Sequence, residues 1–242
     1  MVIWLRKQLI RLCGYENYLL WLCRFNTWRL SLPGNYEAPF RYFVTRLPDT
    51  GWVIDMGANI GFMSIYLASR KPGLQVMAVE PIPQHCRIIE REIRRRKMHQ
   101  VQVVQTAVGN YRGQGVMAIP VHEGLPRHGW AHLVEQAAQL GDTPLIAVPM
   151  QPADELIPVQ ADLPLVGIKI DVENAEYEAL LGSRALLQQY KPMVLVELWN
   201  NERKTACLDW MQQLGYRAYV WDGTSITPYQ GQDSLDYFFI AD

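Results

Sequence analysis

Trp52-Val53-Ile54-Asp55-Met56-Gly57-Ala58-Asn59-Ile60-Gly61 begins as a short β-branched run and ends in a turn bounded by two glycines. The run predicts a buried strand, and Phe62 to Arg70 predicts a helix broken by Pro72 and Gly73. Gly57 and Gly61 let the backbone turn sharply and approach a ligand closely, because no Cβ intervenes. The helix that follows presents free N–H groups and a positive dipole end to that ligand. A dinucleotide fingerprint would need G-x-G-x-x-G, which this stretch lacks. Its acid at the strand end would also repel a pyrophosphate. A ligand carrying both an ammonium and a carboxylate suits the loop better, with the amine toward Asp55 and the carboxylate toward the turn amides.

Outward from this turn, strand and helix alternate. Residues 75–80 (QVMAVE) form the next predicted strand, and Ile82, Cys86, Ile89 and Ile93 repeat at helical spacing through an amphipathic helix over 82–97. Residues 101–108 (VQVVQTAV) read as a third strand. Such alternation implies parallel strands joined by right-handed crossovers, an α/β architecture. Glu80 ends the second strand, 25 residues beyond Asp55. An acid there can take both ribose hydroxyls in a bidentate hydrogen bond; the plainer reading is that it caps the helix beginning near Ile82. An amino-acid end and a ribose together describe S-adenosyl-L-methionine.

Residues 109–144 are irregular and glycine-rich, with a short strand expected near Val116–Ile119 and a second near Leu145–Val148 that can pair with it. Regularity returns with LVGIKIDV (165–172), a helix over 175–190, MVLVELW (193–199), a helix over 202–214, and two final strands in AYVWDG and DYFFIA. The hairpin-like final pair suggests one antiparallel edge strand. Asp171 falls at the carboxyl edge of the strand next to the first one, facing the same crevice as Gly57. Glu173 and Glu176 lie in the following helical turn, where carboxylates also favour the dipole, and Glu197 adds a third acid to the rim.

These motifs carry a resemblance. D-M-G-A-N-I-G-F, Glu80-Pro81, A-V-G-N, K-I-D-V-E-N-A-E and V-L-V-E-L-W occur in the order seen in the FkbM family of methyltransferases, and the sequence resembles that family over residues 36–240. Asn174 stands where the family usually has Gly; Asn tolerates the left-handed conformation better than most residues. The resemblance implies a Rossmann-like class I methyltransferase fold, a seven-stranded and mostly parallel sheet, using S-adenosyl-L-methionine to methylate a hydroxyl oxygen. By position, Asp55, Gly57, Asn59 and Gly61 would hold the methionine part of the cofactor and Glu80 the ribose, while Thr106 and Ala107 would flank the adenine. Tyr36-Glu37 resembles a tyrosine–glutamate pair expected to close over the cofactor. Residues 1–35 then read as a helical appendage and 36–242 as the methyltransferase domain.

A hydroxyl acceptor must lose its proton, which calls for a general base. Asp171 is the first choice, with Glu173 and Glu197 behind it. His122, His128 and His132 lie in the irregular stretch, where solvated loop histidines are the plainer reading. Three acids at one rim can hold a divalent cation, but their spacing is not diagnostic and no metal is expected. The competing readings are an RNA or protein methyltransferase and a cofactor-binding relic of the fold without turnover. No Asn-Pro-Pro-Tyr-like tetrapeptide, the pattern used for amino-group methylation, follows Lys169-Ile170-Asp171.

Composition narrows the partners. Of 242 residues, 49% are apolar and 19% charged, and 23 basic against 24 acidic side chains give a net charge of -1. That is a globular balance without the basic field of a duplex-DNA binder; with the hydroxyl methylation that the resemblance implies, the leading reading of the acceptor is a small molecule or a glycan, and no nucleic acid is expected. Arg94-Arg95-Arg96-Lys97 ends a helix, where cations suit the negative dipole end. The four cysteines stand far apart, and a reducing cytoplasm is the expected location. Cys86 fits the buried face of its helix. The first 30 residues hold Trp4, Trp21 and Trp28 with five basic residues and one acid, Glu16. They read either as a helix lying on a membrane surface or as a helical segment packed on the domain or on another copy. Their longest apolar run, Tyr18 to Cys23, is too short for a signal-peptide core.

Overall fold

The computed structural model describes residues 3–34, 36–122, 125–126, 132–133, 143–156 and 162–241, with backbone alone at 3, 4, 122, 125–126 and 132–133. The chain opens with helices α1 (Ile3–Cys13), α2 (Tyr15–Leu30) and α3 (Ala38–Arg46). It then alternates β1 (Gly51–Met56), α4 (Phe62–Arg70), β2 (Leu74–Val79), α5 (Pro83–Arg96) and β3 (Val101–Val104). Short strands follow: β4 (Ala107–Val108), β5 (Gly113–Ala118), β6 (Val121–His122), β7 (Leu125–Pro126), β8 (His132–Leu133) and β9 (Leu145–Gln151). The last part runs β10 (Leu165–Ile170), α6 (Glu176–Leu181), α7 (Arg184–Tyr190), β11 (Met193–Glu197), α8 (Glu202–Gln213), β12 (Tyr216–Trp221), β13 (Ile226–Pro228) and β14 (Asp236–Ala241).

The main sheet has eight strands in the order β13-β12-β14-β11-β10-β1-β2-β3. β3, β2, β1, β10 and β11 are parallel, whereas β14 is antiparallel to both β11 and β12, and β13 is antiparallel to β12. The sequence expectation of seven strands with one antiparallel strand at the edge is therefore corrected in detail. The reversed strand β14 is interior, and the short β13 forms the edge. Burial explains the placement: Tyr237, Phe238 and Phe239 are consecutive and all buried, which requires cover on both faces and a neighbour on each side.

Side chains alternate across the sheet. Ile54 and Met56 of β1 join the core beneath α6, α7 and α8, with Leu180, Leu187 and Met211. Val53 faces the other way, toward Phe40 and Phe43 of α3 and Tyr66 and Leu67 of α4. Asp55 shares Val53's face. Two predicted elements are split. The strand expected over 101–108 breaks after Val104, and β4 leaves the main sheet to pair with β9, where Thr106 Oγ1 donates to Pro149 O at 3.1 Å. The helix expected over 175–190 breaks at Gly182-Ser183, because Gly182 packs against the Gly109 backbone so closely that a Cβ would lie 1.9 Å from Gly109 O. β5 and β9 pair antiparallel, Gly115 opposite Val148.

α2 lies across α4 and α5. Tyr18, Leu19, Leu20 and Cys23 pack on Ile60, Ile65 and Ile88, and Arg24 Nε reaches the fully buried Glu92 Oε1 at 2.7 Å. Burial works against the Glu92 charge, but Arg95, Arg24 and Arg96 outweigh it and hold the carboxyl at about 2. No helix among the described residues is long and apolar enough to cross a membrane.

Candidate active site

The five parallel strands place their carboxyl ends along one edge of the sheet. From β1 the chain proceeds outward to β2 and β3 in one direction, and β10 and β11 extend the other, so strand order reverses beside β1. Ligands of open α/β sheets settle at such a switch point. A cavity lies there, lined by Gly57, Asn59, Glu80, Thr106, Asp171 and Glu173, with Ile82, Val108 and Met117 as an apolar wall. Its empty space is about 600 Å³ when the open mouth is included.

The turn after β1 is built for close approach. Gly57 has φ 78, and a Cβ there would lie 1.8 Å from Asp171 O. Asn59 also adopts a left-handed conformation, φ 52, and its N–H donates to Glu80 Oε2 at 2.8 Å. Gly57 N and Ala58 N both donate to Val79 O at 3.0 Å, and Gly61 N donates to Ala58 O. These four amides are thus committed within the protein, so a ligand carboxylate would have to meet other amides of the turn or of the start of α4. Gly61, φ 80, faces α5 instead of the cavity, with Ile89 Cγ1 2.6 Å from where its Cβ would be.

Glu80 lines the cavity and is 4% exposed. Its Oε1 accepts from Ile82 N at 2.9 Å and lies 3.2 Å from His85 Nδ1. The helix-start role and the cavity-lining position therefore coexist. With the Asn59 bond, about three of the four acceptor directions of a carboxylate are used. One ribose hydroxyl can be taken without loss of a protein bond, whereas a bidentate grip on two would displace one. Thr106 and Ala107 also line the cavity.

Asp55 does not line the cavity. It is 2% exposed, accepts from Ser64 Oγ at 2.5 Å, and has Lys169 Nζ 3.4 Å from Oδ1. The ammonium beside Asp55 in this structure is the protein's own Lys169. Asp55 and Lys169 are direct partners in the β1–β10 register, so both side chains lie on one face. Lys169 Nζ also meets Asp171 Oδ2 at 3.2 Å. Burial opposes the ammonium, but Asp171 and Asp55 together outweigh it and raise its pKa. Sequence reasoning assigned Lys169 no role. The available signals were its placement inside the buried run LVGIKI, where a lysine needs partners, and its two-residue spacing from Asp171.

Further carboxyls surround this pair. Glu173, half-buried at the cavity wall, is pushed up to about 7 by burial and by the Asp171 and Glu176 charges. Glu197 is pushed up to about 7 by burial, Asp171, Asp236 and Glu173. Asp236 stands opposite Glu197 in the β11–β14 register and is pushed up to about 6 by burial, Glu37 and Asp171; sequence reasoning missed it. Glu37 begins α3 in a left-handed conformation, φ 48. Burial raises its pKa, the Lys169 charge partly offsets this, and the Asp171 charge adds to it. Glu37 and Glu197 thus share the electrostatic neighbourhood without lining the cavity. Among the described residues no three His, Cys, Asp or Glu side chains gather as metal ligands. His128 lies outside the described residues, as do the side chains of His122 and His132.

Asn174 takes φ 73 after Glu173 at φ 53, so the turn usually given to Gly is accommodated. Arg203 Nη1 of α8 donates to Asn174 O at 2.6 Å, and Asn174 N donates to Glu176 Oε1 at 3.1 Å.

Residues 55–218 match the family described as the methyltransferase FkbM domain. The chain is 25% identical over 158 residues to Methyltransferase 1 of Beauveria bassiana (strain ARSEF 2860), covering 58% of this chain and 61% of that relative. It is 24% identical over 185 residues to Methyltransferase sdnD of Sordaria araneosa, covering 65% and 70%. The fold is similar to the crystal structure of methyltransferase FkbM from Methylobacillus flagellatus KT, with a TM-score of 0.55 and 18% identity, over 83% of this chain and 46% of that one. The chain therefore spans 61% of the length of the first of these relatives and less than half of the solved structure.

Proposed function

Because the chain belongs to the FkbM methyltransferase family, we propose that it transfers a methyl group from S-adenosyl-L-methionine to a hydroxyl of a small molecule or glycan. The observation that carries this reading is the cavity at the strand-order switch, with Gly57, Asn59 and Glu80 on one wall and Asp171 and Glu173 on another. When bound, the cofactor supplies a methyl group already activated on a sulfonium sulfur. Glu80 would hold a ribose hydroxyl, and Thr106, Ala107 and Val108 with Met117 and Ile82 would flank the adenine. The rest of the task falls to this chain's own groups: alignment of the acceptor oxygen and removal of its proton.

For the proton, the geometry favours Glu173 over Asp171. The Asp171 carboxylate is engaged by Lys169 at 3.2 Å. Glu173 lines the same cavity and titrates near 7, the range in which a general base works best at neutral pH. Asp171 then acts as a positioning residue, fixed by Lys169. Glu197 stands behind both, outside the cavity lining. A polyanionic RNA acceptor is disfavoured, because Glu37, Glu173, Glu197 and Asp236 make the rim acidic.

Calorimetry with S-adenosylhomocysteine tests the cofactor assignment. Glu80→Ala should weaken binding by about 1.5–3 kcal/mol, the scale of a charge-assisted bond. Unchanged affinity in a folded variant removes the ribose assignment. Incubation of methyl-labelled S-adenosylmethionine with nucleotide sugars, lipopolysaccharide extracts and polyketide-like alcohols tests the acceptor class. Label recovered in an ether is the expected result, and label recovered only in protein or RNA overturns it.

A further inference from the structure

Trp21, Phe25 and Trp28 occupy the outer face of α2 at the four- and three-residue spacings of one helix stripe. They are 46%, 38% and 56% exposed. The Trp21 and Phe25 rings stack with centroids 5.2 Å apart, and Phe25 and Trp28 lie 5.8 Å apart, so the three form one continuous apolar surface. The opposite face of α2 is already buried through Leu19, Leu20, Cys23 and Leu30. The helix is therefore anchored by one face while it presents large rings on the other, and a contiguous exposed apolar patch marks an interaction site.

Cations flank the stripe. At about 100° per residue, Arg24 falls to one side of Phe25 and Arg29 to the other. Arg24 belongs to a larger cluster: the single buried carboxylate of Glu92 is shared with Arg95 and Arg96. Three guanidiniums on one carboxylate leave positive charge in excess, and the Arg24 and Arg95 side chains are 44% and 47% exposed. Arg29 lies over the Tyr36 ring at 3.7 Å.

We propose that this face of α2 docks on an anionic lipid surface. Indole rings favour the boundary between water and hydrocarbon, and arginines beside them favour anionic headgroups. The contact is peripheral, since no helix among the described residues is long and apolar enough to cross a membrane. A second copy of the chain fits the stripe less well. At these exposures, rings of roughly 150–250 Å² each offer on the order of 300 Å², against the ~800 Å² per partner of a stable interface. A two-fold contact would also bring the cationic rim against itself. Single-stranded nucleic acid needs open ring faces for its bases, and the Trp21–Phe25 stack covers one face of each of those two rings.

The test is flotation of the full chain with two vesicle populations, pure phosphatidylcholine and phosphatidylcholine mixed with phosphatidylglycerol. Binding to the mixed vesicles, weakened as ionic strength screens the headgroups, is expected. Trp21→Ser/Phe25→Ser/Trp28→Ser should lower the partition coefficient about tenfold or more, consistent with loss of the buried apolar area. The single Trp28→Ser variant should show a smaller loss, and both should keep their melting temperature and their affinity for S-adenosylhomocysteine. Equal binding to both vesicles, binding to neither, or unchanged binding of the triple variant overturns the proposal. Conversion of a dimer to a monomer by the triple variant, read by light scattering, assigns the face to a second copy. Retention on single-stranded RNA without vesicle binding assigns it to nucleic acid.

Discussion

Lys169 organises the charged side of the site. Its ammonium is buried between Asp55 and Asp171, so removing it leaves Asp55 sealed without its counter-charge. Lys169→Met should destabilise the fold by about 3–5 kcal/mol, the cost of orphaning a buried partner, and Asp55→Asn in the same chain should recover much of it. Chemical denaturation of the two variants measures both. For the chemical step, Glu173→Gln should lower turnover on the order of 10²-fold or more. The wild-type rate should rise with pH through about 7, where the Glu173 carboxyl loses its proton, and the variant should lose that break. If Asp171→Asn removes the break while Glu173→Gln keeps it, the assignment of the proton acceptor is reversed. Residue types at strand ends were readable from sequence: Gly57, Asn59, Glu80, Thr106, Asp171 and Glu173 all reach one cavity. Which carboxylate is already paired was not readable, because the Asp55–Lys169 contact depends on cross-strand register between residues more than a hundred positions apart.

At the scale of elements, α2 is part of the domain's packing. Leu19, Leu20 and Cys23 cover Ile60, Ile65 and Ile88, and each fully buried large aliphatic side chain is worth about 1.5–3 kcal/mol. Deleting residues 1–30 should therefore lower the melting temperature sharply or give insoluble protein, measured by differential scanning fluorimetry on the soluble fraction. A truncated chain that melts like the full one would make α2 an independent appendage. Helix and strand periodicity located α4, α5, α8, β1, β2, β10 and β11 to within a few residues. The misread elements share one cause. The 101–108 strand and the 175–190 helix each break where a distant backbone comes close, at Pro149 O for Thr106 and at Gly109 O for Gly182. No local pattern records such a neighbour. The interior position of β14 did have a local sign, the unbroken apolar run Tyr237-Phe238-Phe239, which fits a strand covered on both faces.

Across the whole molecule, opposed carboxyl groups set the dependence of stability on pH. Glu173 and Glu197 titrate near 7 and Asp236 near 6 in the folded chain, whereas unfolded carboxyls titrate near 4. The folded form binds protons more tightly in that window, so stability should rise as pH falls from about 8 toward 5. Glu92 acts in the other direction. Its carboxyl is held at about 2, so its contribution is present above the unfolded value and is lost as pH falls from about 4.5 toward 2. Melting temperatures across this range should peak near pH 5, and a curve that instead climbs steadily to pH 8 would contradict the burial of the acidic rim. The order of strands has a consequence for synthesis. β14 leaves the ribosome after β12 and β13, yet it is the strand that joins β12 to β11. Until it emerges, β12 and β13 form a hairpin with no place in the sheet, and β11 presents a bare edge. A nascent chain stalled before residue 236 should be held by chaperones or cleaved at that hairpin, because local helix formation cannot substitute for this late, long-range pairing.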